Sequence, residues 1–97
     1  MNIRWSALSI EDREVIFDYL LNLDPAAAIR IDQEIEQQVE NLARFPELGR
    51  DGRVADTREL VINRTPYIVA YSLDADSLVV LRVIHSSQVW PANMDDL

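Results

Sequence analysis

The chain has no cysteine, no lysine and one histidine, and only two of its 97 residues are glycine. The absence of cysteine excludes disulfides, thiolate nucleophiles and cysteine-ligated zinc, and it fits a reducing cytoplasm. Two glycines are too few for a glycine-rich phosphate loop. One histidine among scattered carboxylates does not supply the ligand set of a metal site. We therefore predict neither a metal nor a cofactor.

The chain also lacks long apolar runs, and no stretch approaches the length needed to cross a bilayer. The opening residues, MNIRWS, lack the charged and then apolar pattern of a secretion signal. Hydrophobic residues nevertheless make up 48% of the chain, which is enough for one small core. We predict a soluble, cytoplasmic protein with one domain over residues 1–91 and a flexible tail, ANMDDL, over residues 92–97.

Acidic residues outnumber basic ones by 17 to nine, and every basic residue is arginine. The net charge of −8 repels phosphate backbones, so we predict no sequence-specific nucleic-acid binding by the chain alone. The charge is uneven: residues 1–43 carry −6, residues 44–64 carry +1 and residues 65–97 carry −3. Arginine suits planar, bidentate contacts, although a composition bias of the source genome also explains the missing lysine.

Two amphipathic helices are predicted in the first half of the chain, after a short strand at IRWS. Ser9 followed by Asp12 resembles a capping box at the start of the first helix, and Asp24 before Pro25 starts the second. The apolar stripe of the first helix is Leu8, Val15, Ile16, Tyr19, Leu20 and Leu23, and that of the second is Ala28, Ile31, Ile35, Val39 and Leu42. The hairpin is left with an acidic outer surface that we interpret as solvated.

The second half predicts an irregular connector and three strands. Pro46, Gly49 and Gly52 interrupt the helical period in FPELGRDGRVADT. Strands follow over residues 58–63, 66–73 and 77–85, with a turn at DADS between the last two. The last strand is apolar on both faces except at Arg82, as expected of a central strand. The order β-α-α-β-β-β predicts an α+β fold with the helical hairpin packed on one face of a small antiparallel sheet.

The candidates for chemistry are Arg50, Arg53, Arg58, Glu59, Arg64, Arg82 and His85. Such a set can combine general acid–base work with guanidinium stabilisation of a phosphoryl transition state, as in an endoribonuclease. Structural interpretations compete with this one. Arg82 can pair with an acid such as Glu59, Arg58 can form a similar ladder pair, and His85 can be a hydrogen-bonded strand end. Ser86 and Ser87 beside His85 point in opposite directions on an extended chain, which disfavours a serine hydrolase.

Several stretches together resemble the RelE/ParE toxin superfamily, and specifically its ParE-like, plasmid-stabilisation branch. They are WSALSIEDREVIFDYL, DPAAA, LARFPELGRDGRV, TRELV, PYIVAY and LRVIHSSQVWP, and they span about residues 3–91 in the family's order. The resemblance implies the toxin of a type II toxin–antitoxin pair, neutralised by a cognate antitoxin. ParE-like members are associated with inhibition of DNA gyrase and growth without cutting RNA, whereas RelE-like members are ribosome-dependent mRNA endonucleases.

Departures from the RelE-like pattern favour the gyrase branch and a binder over an enzyme. Tyr67 stands where RelE-like enzymes place a catalytic basic residue, and the chain is acidic. Asp56 stands where glycine is frequent. The resemblance implies a target-binding surface made of Arg50, Arg53, Arg58, Arg64, Arg82, His85, Gln88 and Trp90. In the nuclease alternative, His85 is the acid or base, and Arg50, Arg53 or Arg64 contacts the phosphate.

Overall fold

The computed structural model describes residues 1–90, so the predicted tail over residues 92–97 lies outside the described residues. The elements are β1 (Asn2–Trp5), α1 (Ala7–Leu23), α2 (Pro25–Glu40) with a short 3₁₀ turn (Asn41–Ala43), β2 (Arg50–Asp51), β3 (Arg58–Val61), β4 (Tyr67–Asp74) and β5 (Ser77–His85). Within these residues, no helix combines the length and the apolar character needed to cross a membrane.

The five strands form one sheet in the order β1-β5-β4-β3-β2, which confirms the predicted α+β class and the central position of β5. β1 runs parallel to β5, so the sheet is mixed. The helical hairpin carries the chain from β1 to β2 at the opposite edge, and the antiparallel strands β2 to β5 then lead back to β1. The strand β2 was not predicted. This two-residue strand lies inside the predicted irregular connector and pairs Arg50 with Glu59 and Asp51 with Arg58.

The two helices begin at side-chain caps, one of which differs from the prediction. Asp24 caps α2 as predicted, because its Oδ1 accepts the N–H groups of Ala26 and Ala27. The cap of α1 is Ser6 and not Ser9: the Ser6 hydroxyl accepts the Ser9 N–H at 3.1 Å. Ser9 is buried inside the first turn, and its hydroxyl donates to the Ser6 carbonyl.

The apolar stripe predicted for α2 forms the centre of the core between the hairpin and the sheet. Ala28, Ile35, Val39 and Leu42 are fully buried, and Ile31 is 6% exposed. These side chains supply the main hydrophobic contribution of the hairpin, at about 1.5–3 kcal/mol for each large side chain. They pack with the inward residues of β3, β4 and β5.

The stripe predicted for α1 was wrong for four of its six members. Leu8, Val15, Tyr19 and Leu23 are 43–65% exposed. Ile16 and Leu20 pack partly buried against the core. The prediction failed because α1 contacts its neighbours along a narrow sector, whereas its apolar residues extend around most of its circumference.

Three turns depend on residues other than glycine with positive φ. Asp56 in the connector has φ 64°, Arg64 between β3 and β4 has φ 66°, and Ala75 between β4 and β5 has φ 41°. Ala75 and Asp76 form the predicted turn, with Asp74 paired to Ser77 across it. The left-handed backbone at Asp56 explains why this position accommodates glycine well.

Candidate functional site

A buried carboxylate organises the connector at the β2–β3 end of the sheet. The β2–β3 register places Arg50 opposite Glu59, whose side chain is only 1% exposed. The Glu59 carboxylate accepts the Arg50 Nη2 at 3.0 Å and the Arg53 backbone N–H at 2.7 Å. The Arg53 Nε lies 3.5 Å from the same carboxylate. A buried carboxylate needs such partners, so these contacts fix both arginines in place.

Trp90 brings the end of the described chain against Arg53. The Arg53 guanidinium carbon lies 4.2 Å from the centre of the Trp90 ring, which is a cation–π contact. We call Arg50, Arg53, Glu59 and Trp90 the arginine cluster. Its two guanidiniums face one carboxylate, so it carries a local charge of +1 on an acidic chain, and both arginine side chains are about half exposed.

The Tyr71 hydroxyl fixes the backbone of the connector by two hydrogen bonds. The Tyr71 hydroxyl accepts the Gly49 N–H at 2.9 Å and donates to the Pro46 carbonyl at 2.8 Å. Burial raises the pKa of Tyr71, so the neutral phenol that makes both bonds is favoured. A Cβ at Gly49 would lie 2.6 Å from the Tyr71 hydroxyl and 2.8 Å from the Glu59 carbonyl, so only glycine fits.

Arg82 is paired with an acid, as the structural interpretation expected, but the acid is Asp12 and not Glu59. Its Nε and Nη2 donate to the two Asp12 oxygens at 2.7 and 2.9 Å. Asp12 also accepts the Val83 N–H at 2.9 Å. This arrangement arises because β1 ends at Trp5, which leaves the last part of β5 without a neighbouring strand on its β1 side, while β4 pairs with it on the other side. The Asp12 hydrogen bond raises the pKa of Arg82, which is therefore a structural cation.

Arg58 and Arg64 are also bound to the protein itself. Asp51 stands opposite Arg58, but the Arg58 guanidinium donates to the Gly49 carbonyl at 2.9 Å, so no ladder ion pair forms and that prediction was wrong. Arg64 lies in the β3–β4 turn and forms an exposed ion pair with Glu34 on α2. The hydrogen bond from Arg64 lowers the pKa of Glu34.

His85 is a hydrogen-bonded strand end, as predicted. Its N–H donates to the Gln88 Oε1 at 2.7 Å, and the Ser86 N–H donates to the Pro66 carbonyl. The imidazole Nδ1 accepts the Ser87 N–H at 3.1 Å and lies 2.7 Å from the Ser87 hydroxyl. A neutral imidazole has one acceptor nitrogen, so the Ser87 N–H assigns that role to Nδ1 and places the proton on Nε2.

The predicted site residues therefore fall in several places. Arg50, Arg53 and Trp90 meet in the arginine cluster, and His85 and Gln88 meet at the end of β5. Two partners were not predicted: Asp12, which binds Arg82, and Tyr71, which binds Gly49 and Pro46. The sequence did contain a signal for the Asp12 contact, because Asp12 lies early in α1 and Arg82 is the one charged residue of β5. Asp12 was instead interpreted as part of a capping box with Ser9.

This fold, a helical hairpin on a mixed five-stranded sheet in which β5 lies between β1 and β4, is that of the RelE/ParE toxin superfamily. The family model for the ParE toxin of the type II toxin–antitoxin system, parDE, matches residues 3–90. The chain belongs to this ParE toxin family, which confirms the resemblance seen in the sequence.

Individual relatives agree with this assignment. The chain is 39% identical over 89 residues to a toxin-named protein of Sinorhizobium fredii, Y4kP, and covers 92% of each chain. It is 34% identical over 86 residues to toxin RelE2 of Caulobacter vibrioides, covering 88% of this chain and 94% of that one. A solved chain of the chromosomal ParDE system from P. aeruginosa superposes with a TM-score of 0.80 at 25% identity, covering 88% of this chain and 95% of that one.

Proposed function

We propose that this toxin inhibits DNA gyrase in the cytoplasm by binding to it, and that a cognate antitoxin neutralises it. The observation that carries the proposal is the state of His85. A general base needs a free lone pair near the substrate, and the acceptor nitrogen of this imidazole is held by the Ser87 N–H of the chain itself. The chain's one histidine is thus used to close a turn.

The arginines also support a binding role, because their guanidiniums, like the His85 imidazole, are occupied by contacts within the chain. A ribonuclease needs guanidiniums free to meet developing phosphate charge. Arg82 is neutralised by Asp12, and Arg50 and Arg53 share the buried Glu59. Arg50 and Arg53 instead form a half-exposed surface beside the Trp90 ring. Arg and Trp are enriched among the residues that dominate the binding energy of protein interfaces.

We assign the gyrase contact to the arginine cluster together with Gln88 and His85 at the end of β5. The other predicted contact residues, Arg58, Arg64 and Arg82, are engaged by intramolecular partners, and we leave them out of this contact. Because the contact surface is local and cationic on a chain of charge −8, binding to a protein surface is favoured over binding to a nucleic-acid backbone.

The alternative function is a ribosome-dependent mRNA endonuclease. One relative at 34% identity bears the name toxin RelE2, and His85 lies near the position of a functional histidine in some nuclease members. Tyr67, which occupies the place of the catalytic basic residue, is 6% exposed and lies edge-on to the His85 ring with 5.3 Å between ring centres. A buried, neutral phenol at this position does not replace a basic residue.

Expression of the toxin without its antitoxin separates the two functions. We expect growth arrest with gyrase-linked DNA breaks and altered plasmid supercoiling, while messenger RNA stays intact. Arg53→Gln should weaken the arrest because it removes the charge above Trp90, and His85→Ala should weaken the gyrase-linked breaks to a smaller extent while messenger RNA stays intact. Ribosome-dependent transcript cleavage that His85→Ala reduces by about 10²-fold or more would establish the nuclease instead. Circular dichroism of each variant checks that it is folded.

A further inference from the structure

The part of the chain that the structure describes contains two arginines that stack on tryptophan rings. The Arg13 guanidinium carbon lies 4.7 Å from the centre of the Trp5 ring. The Arg53 guanidinium carbon lies 4.2 Å from the centre of the Trp90 ring. In the first stack, the Arg13 Nε and Nη2 donate to the two oxygens of Asp32 at 3.0 Å each. A planar carboxylate is thus the ligand that the chain itself supplies to one of its stacked guanidiniums.

The guanidinium of the second stack lacks such a ligand within residues 1–90. The closest ion-pair contact of Arg53 is at Nε, 3.5 Å from Glu59, and none of its side-chain nitrogens donates a hydrogen bond to a described residue. The Glu59 carboxylate is bound more closely by Arg50, whose Nη2 donates at 3.0 Å. Glu59 therefore offsets only one of the two positive charges. The Arg53 side chain is 47% exposed, so an outside acceptor can reach its Nη1 and Nη2 groups.

We propose that Arg53 binds a carboxylate of an acidic surface segment of gyrase, in the way that Arg13 binds Asp32. This inference rests on the proposed gyrase function and specifies the chemistry of the contact. Two parallel N–H groups of a guanidinium match the two oxygens of a carboxylate, and one such group balances the surplus charge of +1. The contacts of Arg53 with Glu59 and Trp90 restrict its side chain before the partner arrives, so less conformational entropy is lost on binding.

A DNA phosphate is the competing ligand, because it also fits the planar fork of a guanidinium. The net charge of −8 disfavours it, since the chain as a whole repels a polyanion. Val89, which precedes Trp90, is 96% exposed and places an apolar side chain beside the cluster. Protein interfaces bury apolar residues together with arginine and tryptophan, whereas a phosphate backbone is charged along its length. Both observations favour an acidic protein segment.

NMR titration of the isotope-labelled toxin tests the ligand, with the two indole N–H signals as reporters. The probes are a short designed peptide with adjacent glutamates between leucines, its glutamine counterpart, and a short DNA duplex at the same salt concentration. The glutamate peptide should shift the Trp90 signal and leave the Trp5 signal in place, because Arg13 is already bound to Asp32. Equal shifts with the glutamine peptide, or a stronger response to the duplex, would overturn the proposal.

Matched variants locate the contact, and the same spectra show whether each variant is folded. Arg53→Gln should weaken binding of the glutamate peptide by about two- to fivefold. Arg44→Gln removes another exposed arginine, which lies 5.7 Å from the centre of the Phe45 ring, and should leave binding unchanged. An equal loss in both variants would show only a general attraction between unlike charges and would refute the site.

Arg53→Lys tests the geometry, because lysine keeps the charge but not the planar fork. This variant should also bind the glutamate peptide more weakly than the unmodified toxin. Unchanged affinity would contradict a bidentate contact.

A gyrase supercoiling assay separates this inference from the proposed function. If the toxin inhibits gyrase and Arg53→Gln inhibits it equally well, the function stands and the carboxylate contact is refuted. If the glutamate peptide binds at Trp90 but gyrase is unimpaired by the toxin, the carboxylate site stands and gyrase is refuted as its partner. We expect inhibition that Arg53→Gln weakens and that the glutamate peptide relieves in competition.

Discussion

Replacing Asp12 with alanine should destabilise this fold by about 2–4 kcal/mol. The substitution removes three acceptor contacts, two to the Arg82 guanidinium and one to the Val83 N–H. Breaking a buried ion pair from one side costs about 3–5 kcal/mol, because the remaining charge stays buried without a partner. The Asp12 and Arg82 side chains are 16% and 23% exposed, so water reduces this cost. The corresponding fall in melting temperature is about 10–20 °C for a domain of this size.

Urea denaturation followed by circular dichroism measures this cost. Asp18→Ala is the matched control, because Asp18 lies on the same helix and forms no ion pair with any of residues 1–90. It should change stability by less than about 0.5 kcal/mol. Arg82→Met should cost less than Asp12→Ala, since it leaves no buried cation. A double-mutant cycle should give a coupling above about 1 kcal/mol. If Asp12→Ala is no more destabilising than Asp18→Ala, Asp12 does not close the edge of β5.

Three further predictions concern the connector and the core. Gly49→Ala should destabilise the protein by about 2–4 kcal/mol, measured by urea denaturation, because its Cβ collides with the Tyr71 hydroxyl; a loss below 0.5 kcal/mol would contradict that packing. Asp56→Gly should raise stability by up to about 1 kcal/mol and Asp56→Ala should lower it by a similar amount, because φ is 64°; the reverse order in thermal melts would refute the strain. Burial raises the folded-state pKa of Tyr67 and Tyr71, so the stability they contribute is present below about pH 10 and is lost as pH rises through their folded-state pKa values. Tyr67→Phe should flatten this alkaline loss in denaturation curves between pH 8 and 11, and an unchanged slope would count against burial as its cause.

The helical hairpin and the sheet were predictable because their signals are local. Asp24 and Pro25 mark a helix start whatever surrounds them, and the α2 stripe repeats at a period that only a helix satisfies. The continuous apolar run of β5 predicted a strand with neighbours on both sides. Periodicity does not say how much of an apolar face is covered, which is why Leu8 and Tyr19 were placed in the core.

The partners of the charged residues were not predictable from sequence. Glu59 binds Arg50 and Arg53 because β2 forms, and a two-residue strand has no signal of its own. Arg82 binds Asp12 because β1 stops after four residues and leaves a gap beside β5, which depends on where α1 starts. Such contacts join residues far apart in the chain, and one sequence contains no record of which carboxylate is near.

The most direct test of gyrase inhibition uses purified components. The toxin, gyrase, ATP and relaxed plasmid are combined, and supercoiled product and gyrase–DNA cleavage complexes are measured with and without Arg53→Gln. We predict loss of supercoiling with accumulation of cleavage complexes, both weakened by Arg53→Gln. Unimpaired gyrase at a large excess of folded toxin, together with cleavage of messenger RNA on ribosomes, would contradict the account.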